Sequence, residues 1–313
     1  MIRAIFATGL ALALVACGQG GEQSASEVSQ AGANPTASKT DVATAEMSAA
    51  GGLPLDEILE TLPDKDKARI VYRHPKETLD FFGVKPGMTV VDTTPGDIWY
   101  AGILASYLGP DGTVIGADRP LSVWEWFGEE YSPPEFLEKQ ATWPQTWPSE
   151  QTAKARPNSA AFSAVAYGSV PSELAGAADV VMMIREMHNI AGSDQTNGVI
   201  SKVLAEINML LKPGGVFGVI QHRAPESASD AWANGENGYL KQSTVIALVE
   251  AAGFVLEDTS DINANPKDQP TEEDGVWRLP PGLDIEEGNE ALRNEMLAIG
   301  ESNRMTLKFR KPE

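Results

Sequence analysis

The fold is decided by a stretch that reads Thr89-Val-Val-Asp92, Thr93-Thr-Pro-Gly96-Asp97, Ile98-Trp-Tyr-Ala-Gly-Ile-Leu-Ala-Ser-Tyr-Leu108 and, after a short turn, Thr113-Val-Ile-Gly-Ala-Asp118. Its order of apolar run, Pro-Gly turn, apolar helix and second apolar run predicts a strand, a loop, a helix and a strand. Open α/β sheets build a nucleotide pocket in this way, at the carboxyl end of the first strand. Asp118 comes about 20 residues after Gly96, where a carboxylate can accept both ribose hydroxyls.

The glycine pattern of this loop is incomplete. Of the three spaced glycines that a nucleotide-binding loop carries, only Gly96 is present, and Thr94 and Ile98 occupy the other two positions. The loop alone therefore leaves two interpretations open, a nucleotide-binding loop and a purely structural βαβ crossover.

Composition limits the domain count and the kinds of partner. The 313 residues suffice for one large domain or two small ones, and the apolar share of 42% is ordinary for a globular protein. The formal net charge is −20. A surface this acidic argues against binding nucleic acid or an anionic membrane face, because both require clustered Lys or Arg.

The N-terminus predicts export and a lipid anchor. A short basic start and an apolar stretch too short to cross a bilayer indicate a signal peptide over residues 1–16. Leu14-Val-Ala-Cys17 resembles a bacterial lipobox, and Cys17 is the only cysteine of the chain, so we expect it to carry the lipid. An incidental cysteine after a plain secretion signal is the alternative. Residues 17–52 predict a flexible linker, and residues 53–313 a domain that faces the periplasm, with the membrane contacted only through the lipid.

Strands and helices alternate through the rest of the chain. Residues 162–167, 179–184, 216–220 and 254–257 predict further strands, interspersed with amphipathic helices, and residues 305–310 predict a half-exposed antiparallel strand. This order predicts an α/β fold, a doubly wound Rossmann-like sheet with an antiparallel edge strand. Residues 119–159 form an aromatic-rich, proline-rich insertion, predicted as a long loop that is either a lid or an aromatic mini-core on the sheet.

With these motifs in place, the chain resembles the seven-stranded class I S-adenosylmethionine-dependent methyltransferases, and among them an exported bacterial group of predicted methyltransferases. The resemblance covers residues 53–312, nearly all of the predicted domain. The matching segments are Arg73-His-Pro75, Phe81-Phe-Gly-Val-Lys-Pro-Gly-Met88, Pro95-Gly96 with Trp99-Tyr100, Arg185-Glu-Met-His-Asn189, Leu211-Lys-Pro-Gly-Gly215, Gln221-His-Arg-Ala224, Ile262-Asn-Ala-Asn-Pro-Lys-Asp268, Gly275-Val-Trp277 and Gly300-Glu-Ser with Arg304-Met-Thr-Leu-Lys308.

The resemblance implies S-adenosyl-L-methionine as cofactor, with contacts from Asp92, Gly96, Trp99 and Asp118. One departure lies in the cofactor loop, where the exported group tends to carry Pro-Gly-Gly-Gly-Trp and this chain has Pro95-Gly-Asp-Ile-Trp99. Side chains at Asp97 and Ile98 narrow the approach of the backbone to a ligand. The cofactor therefore either shifts or no longer binds.

The loop after the fourth strand often faces the transferred methyl group in this superfamily. Here it carries His188 as a candidate general base, Asn189 to hydrogen-bond an acceptor, and Glu186 to orient His188 or meet the sulfonium. The plain structural alternative is that His188 and Asn189 cap the following helix.

Further substrate contacts are predicted at five positions outside this loop. His222 and Arg223 follow the fifth strand on the same sheet edge, and a turn-rich segment together with an indole can form a substrate lid. The lid residues are Asn265, Lys267 and Trp277, with a structured loop as the alternative reading. A metal site at His188 and His222 lacks tight ligand spacing, so we predict no metal.

Two functions of different class remain. The first is a lipid-anchored methyltransferase that acts on a small molecule. The second is a non-catalytic or repurposed binding module on the same fold, which the degenerate glycine loop favours. An exported domain is also separated from a cofactor that is made in the cytoplasm.

Overall fold

The computed structural model describes residues 51–96, 99–194 and 198–313. The predicted signal peptide, Cys17, nearly all of the linker, Asp97 and Ile98 lie outside these residues. The strands are β1 Thr89–Thr93, β2 Thr113–Asp118, β3 Ala161–Ala166, β4 Ala178–Ile184, β5 Leu211–Ala224, β6 Leu240–Lys241, β7 Val255–Ser260 and β8 Arg304–Arg310. In the part of the chain that is described, no helix is both long and apolar enough to cross a membrane.

The central sheet has the order β3-β2-β1-β4-β5-β8-β7, with the short β6 pairing with β5. Pairs from β3 to β5 are parallel, and β8 runs antiparallel to both β5 and β7. The predicted doubly wound α/β fold with an antiparallel edge is thus confirmed. The chain leaves β1 toward β2 on one side and β4 lies on the other, so the carboxyl end of β1 is the point where open α/β sheets form a crevice.

Eleven helices accompany the described strands. They are α1 Leu55–Glu60, α2 Asp64–Lys67, α3 Ile70–Arg73, α4 Pro75–Phe82, α5 Trp99–Leu108, α6 Leu121–Trp126, α7 Pro134–Lys154, α8 Met187–Ser193, α9 Val199–Leu210, α10 Gln242–Ala251 and α11 Glu290–Ile299. Pro75 at the first position and Gly83 after the last residue delimit α4.

Two hydrophobic cores lie on the two faces of the sheet. Successive strand residues point to opposite faces, so Val90 packs with α1, α4 and α5 while Val91 packs with α9 and α10. Both residues are fully buried, because each face is covered by helices. This burial on both faces explains why the parallel strands are continuous apolar runs rather than alternating ones.

The insertion 119–159 is not the long loop expected from its prolines. It forms α6 and the 21-residue α7, which contains Pro144 and Pro148 within its length. Trp147 on α7 is buried against Phe162 of β3, with ring centroids 5.6 Å apart. This half of the insertion is therefore an aromatic core on the sheet.

Two strands differ from their predicted extent. The sequence predicted a strand over residues 216–220, but β5 begins at Leu211, ends at Ala224 and pairs with β4 through a register shift. Strand β8 was expected to be half-exposed, yet most of its residues are buried because it lies between β5 and β7. The alternation of its sequence reflects buried polar groups such as Arg304 and Thr306.

Candidate functional site

A cavity of about 380 Å³ opens at the carboxyl ends of β1, β4 and β5. Its volume lies within the range of ~300–1,000 Å³ that is typical of small-molecule sites. Predicted site residues that line it are Asp92, Gly96, Trp99, Glu186, His188, Asn189, His222 and Trp277. Eight of the twelve residues that the sequence predicts for the site therefore line one cavity.

The loop after β1 has a left-handed backbone conformation at Thr94, one of the positions where a nucleotide-binding loop carries glycine. Thr94 and Gly96 both have a φ of 51°, and Thr94 donates its amide to Ala117 at 2.6 Å. A left-handed threonine costs free energy and persists only where surrounding structure enforces it. The loop backbone is thus left-handed at both positions, and both residues line the cavity.

Asp118 is engaged by the protein itself. Its two carboxylate oxygens accept hydrogen bonds from the Arg119 amide and from the Trp124 indole, each at 2.9 Å. Burial raises the pKa of Asp118, and the Trp124 hydrogen bond partly offsets this shift. Asp118 is buried and does not line the cavity. A ribose can reach it only when Trp124 moves away.

The side chain of Arg119 closes the same region of the crevice. Its guanidinium lies 4.2 Å from the centroid of the Trp124 ring and 5.2 Å from that of Phe127. It also forms a 2.6 Å ion pair with Glu186, in which both side chains are more than nine-tenths buried. The ion pair therefore bridges the ends of β2 and β4.

Glu186 is the acid whose protonation is best matched to neutral pH. Burial raises its pKa to about 7, against the opposing effects of Arg119 and of a hydrogen bond from Asn189. Its Oε2 accepts from Arg119 at 2.6 Å and from the Asn189 amide at 3.0 Å. Its Oε1 has no hydrogen-bond partner among the described residues. A proton acceptor is thus held inside the cavity wall.

His188 is held by Gln221 rather than by Glu186. The His188 Nδ1 lies 3.2 Å from the Gln221 Oε1, while the Gln221 Nε2 donates to Gly238 at 2.8 Å. An amide oxygen only accepts, so Nδ1 carries the hydrogen and Nε2 keeps the lone pair. Burial lowers the pKa of His188 to about 3. His188 is therefore a neutral, weak base, and Glu186 does not orient it.

The structure does not support the capping interpretation of this segment. Helix α8 begins at Met187 and Glu186 occupies the N-cap position without a side-chain cap hydrogen bond. His188 and Asn189 lie inside the first turn, with their side chains directed to Gln221 and Glu186.

His222 lies next to His188, with ring centroids 5.2 Å apart. Its Nδ1 is 2.5 Å from the Ser302 hydroxyl. Burial lowers the pKa of His222 well below its ordinary value, and His188 and Arg185 add to this effect. Two neutral imidazoles therefore form one wall of the cavity. Among the described residues, no three His, Cys, Asp or Glu side chains are grouped so as to hold a metal ion.

A buried charged cluster forms the adjoining wall. Arg73 donates its Nε to both oxygens of Glu301 at 3.2 and 3.3 Å, and Arg304 donates its Nη1 to the same carboxylate at 2.8 Å. All three side chains are at least 96% buried. Two cations thus share one carboxylate.

Three of the predicted substrate residues lie outside the cavity. Arg223 pairs with Asp261 at 3.1 Å. Asn265 donates to the carbonyls of Ile299 and Glu301, and Lys267 donates to that of Ala298. Asn265 and Lys267 therefore hold the loop before β8, the structured-loop alternative, and neither they nor Arg223 line the cavity.

Sequence reasoning missed the residues that complete the site. Gln221, Arg73, Glu301 and Ser302 received no role, although all four stand in segments that carried the resemblance. Their polar side chains are each at least nine-tenths buried. Burial of a polar side chain is the signal that would have found them, but burial is not visible in the sequence.

Comparison with known proteins concerns the fold alone. No protein-family model and no curated protein matches the chain. Solved structures similar to it include a SAM-dependent methyltransferase from Aquifex aeolicus, which is 18% identical, with 67% of this chain and 94% of that chain covered and a TM-score of 0.43.

Two further similar structures are from Burkholderia thailandensis and Chlamydomonas reinhardtii. The first is a 1,6-didemethyltoxoflavin-N1-methyltransferase with bound S-adenosylhomocysteine, 16% identical, covering 80% of this chain and 82% of that chain at a TM-score of 0.41. The second is an arsenic(III) S-adenosylmethionine methyltransferase, 15% identical, covering 84% and 74% at a TM-score of 0.41. Similarity at this level identifies neither a ligand nor a substrate of this chain.

Proposed function

We propose that this protein is an S-adenosylmethionine-dependent methyltransferase that acts on a small molecule and is anchored to a bacterial membrane through a lipid on Cys17. The observation that carries the proposal is the cavity of about 380 Å³ at the carboxyl end of β1, lined by Asp92, Gly96 and Trp99 of the predicted cofactor loop. The sequence resemblance supplies the identity of the cofactor.

The residues present fit the cofactor on one side of the crevice. The loop after β1 lines the cavity with a backbone that keeps two left-handed residues, Thr94 and Gly96. On the β2 side, Asp118 is hydrogen-bonded to Trp124, so a ribose fits there only after the indole has moved. Asp92, Gly96 and Trp99 would hold the cofactor, and Asp118 would contact its ribose once the Trp124 indole has moved.

When bound, the cofactor supplies a methyl group on a sulfonium. The chain has to align an acceptor with that group and remove a proton if the acceptor carries one. Glu186 is suited to the proton, because its pKa of about 7 leaves a substantial unprotonated fraction at neutral pH and its Oε1 has no partner among the described residues. Asn189 holds the Glu186 carboxylate at 3.0 Å, so its amide is a positioning group.

His188 and His222 are suited to binding rather than to proton removal. Both are neutral at physiological pH because burial lowers each pKa. The Nε2 of His188 keeps a lone pair and can accept a hydrogen bond from an acceptor hydroxyl or amine. Trp277 lies beside His188, with ring centroids 6.2 Å apart, and is 38% exposed, so it covers the open side.

The decisive experiment is calorimetric titration of the full-length protein with S-adenosylmethionine and S-adenosylhomocysteine. Micromolar binding that Asp118→Ala weakens supports the methyltransferase. Absence of heat at millimolar ligand would contradict it.

A specific observation favours a second function, a repurposed binding module on the same fold. Arg119 already spans the crevice, because it forms an ion pair with Glu186 and lies over the ring of Trp124. The same titration separates the two functions, because a module that has lost the cofactor keeps this ion pair and binds neither nucleoside.

A further inference from the structure

The buried cluster around Glu301 carries more positive than negative charge. Arg73 and Arg304 both pair with Glu301, and no second carboxylate forms an ion pair with either of them among the described residues. Removing a charge from water costs several kcal/mol unless it is compensated by an opposite charge and by hydrogen bonds. A net positive cluster at this depth is therefore incomplete without an anion.

Arg73 is the arginine of the cluster that lines the cavity, and one of its guanidinium nitrogens has no hydrogen-bond partner among the described residues. Its side chain is 2% exposed, and the nitrogen without a partner, Nη2, is itself buried. The corresponding Nη2 of Arg304 donates to the carbonyl of Tyr72 at 2.7 Å. Trp99 lies against the guanidinium of Arg73, 5.0 Å from the ring centroid, so its plane is fixed.

The pKa values of the neighbouring side chains agree with this lack of negative charge around Arg73. Burial lowers the pKa of Arg73 to about 10, and the charge of Arg185 acts in the same direction. Arg185 also lines the cavity, and its charge lowers the pKa of His222 and of His188. Its backbone φ of 56° is left-handed, a strained conformation for arginine.

We propose that the Arg73 end of the cavity binds an anionic oxygen group, a carboxylate or a phosphate, of the molecule that occupies the site. A guanidinium presents donors in a planar fork that suits both groups. Ser302, whose hydroxyl bonds His222, lines the cavity next to Glu301 and offers a further polar contact.

If the proposed methyl transfer is correct, the anion has two possible sources. Only this assignment of the source rests on the proposed function. One is the carboxylate of the cofactor's amino-acid part, and the other is an acidic group of the methyl acceptor. Both place the same chemistry on Arg73. Methylthioadenosine, which keeps the nucleoside but lacks the carboxylate, distinguishes them.

The test compares full-length wild type, Arg73→Gln, Arg73→Lys and the control Arg156→Gln by calorimetry with inorganic phosphate, acetate, S-adenosylhomocysteine and methylthioadenosine. Arg156 is exposed, hydrogen-bonds Thr61 and does not line the cavity. A lost charged hydrogen bond corresponds to about tenfold or greater weakening in Arg73→Gln, with partial recovery in Arg73→Lys and no change in the control. Circular dichroism verifies that each variant is folded.

Each pattern of results has one meaning. Weaker S-adenosylhomocysteine with unchanged methylthioadenosine supports the anion site and assigns it to the cofactor. Weaker phosphate or acetate with unchanged S-adenosylhomocysteine supports it and assigns it to the acceptor. Phosphate binding through Arg73 without any nucleoside binding leaves the anion site standing and removes the methyltransferase. Equal affinity of wild type and Arg73→Gln for every anion, or binding of none, overturns the proposal.

Discussion

Glu186 is subject to two opposing influences, burial that disfavours its charge and an ion pair with Arg119 that favours it. The first is the larger, so the pKa rises from 4.5 to about 7. The folded protein then holds a proton that the unfolded chain releases between pH ~4.5 and ~7. Its stability must therefore fall as pH rises through this window, by at most ~1.4 kcal/mol per pH unit for one proton.

Replacement of Glu186 by glutamine removes this titration and keeps an oxygen that can accept from Arg119. We expect the difference in unfolding free energy between pH 5 and pH 7 to shrink in Glu186→Gln relative to wild type, measured by urea denaturation at both values. The exposed Glu130→Gln serves as control and should retain the wild-type difference. An unaltered pH dependence in Glu186→Gln would show that Glu186 is ionised throughout.

At the scale of single residues, the sequence predicted the position of the site better than the hydrogen bonds and ion pairs within it. His188, Asn189 and Glu186 are adjacent in the chain and follow a recognisable strand, so their location at the cavity could be inferred. Arg73 and Glu301 are 228 positions apart. Nothing local to either residue indicates that the fold pairs them, because that contact depends on how α3 and the segment before β8 meet.

The two halves of the insertion have different roles at the scale of secondary structure. Helix α7 packs on the sheet, while α6 and Arg119 lie over the end of β2. Prolines in the sequence suggested a loop, since proline removes a backbone donor and obstructs the preceding turn. Contacts of Trp143 and Trp147 with the sheet outweigh that cost, and such tertiary compensation is not readable from sequence.

The packing of α7 on β2 is close enough to be tested by adding one methyl group. A Cβ on Gly116 would lie 2.9 Å from atoms of both Trp143 and Trp147. We expect Gly116→Ala to lower the free energy of unfolding by ~1–3 kcal/mol through overpacking. Gly102→Ala is the matched control: it meets nothing within 4 Å and lies in α5, so it should be neutral or stabilising. Chemical denaturation measures both, and equal effects would refute the close contact.

Helix α6 controls access to Asp118 through a single hydrogen bond. Trp124→Phe keeps an aromatic ring over Arg119 but removes the donor to Asp118. If a ribose competes with this donor, S-adenosylhomocysteine should bind ~2–10-fold more tightly to the variant, the equivalent of one net hydrogen bond. Calorimetry measures the affinity, and Trp126→Phe, which has no bond to Asp118, provides the control. Unchanged affinity in Trp124→Phe would argue that Trp124 is not displaced.

The net charge of −20 belongs to the whole molecule, whereas the proposed anion site depends on one buried arginine, Arg73, in a cavity wall that holds Arg73, Arg119 and Arg185 beside Asp92, Glu186 and Glu301. An anionic ligand would therefore be repelled at long range and held at short range, and the two effects depend differently on salt. Added salt screens the exposed charges, with a Debye length of ~10 Å at 0.1 M, but screens a buried arginine much less. Binding of an anion inside the cavity should accordingly weaken little, or even strengthen, as salt increases.

The proposed membrane location of the molecule depends on one thiol, that of Cys17. The lipobox-like segment before Cys17 predicts lipidation, and several acyl chains on one residue give stable membrane attachment, whereas one chain is marginal. Cys17→Ser removes the acceptor of the lipid but leaves the apolar stretch of the signal intact. We expect this variant to move from the membrane fraction to the soluble fraction after cell lysis, as followed by immunoblotting, while its unfolding midpoint stays that of wild type. Retention in the membrane fraction after a high-salt wash would show that the protein is held there by something other than a lipid on Cys17.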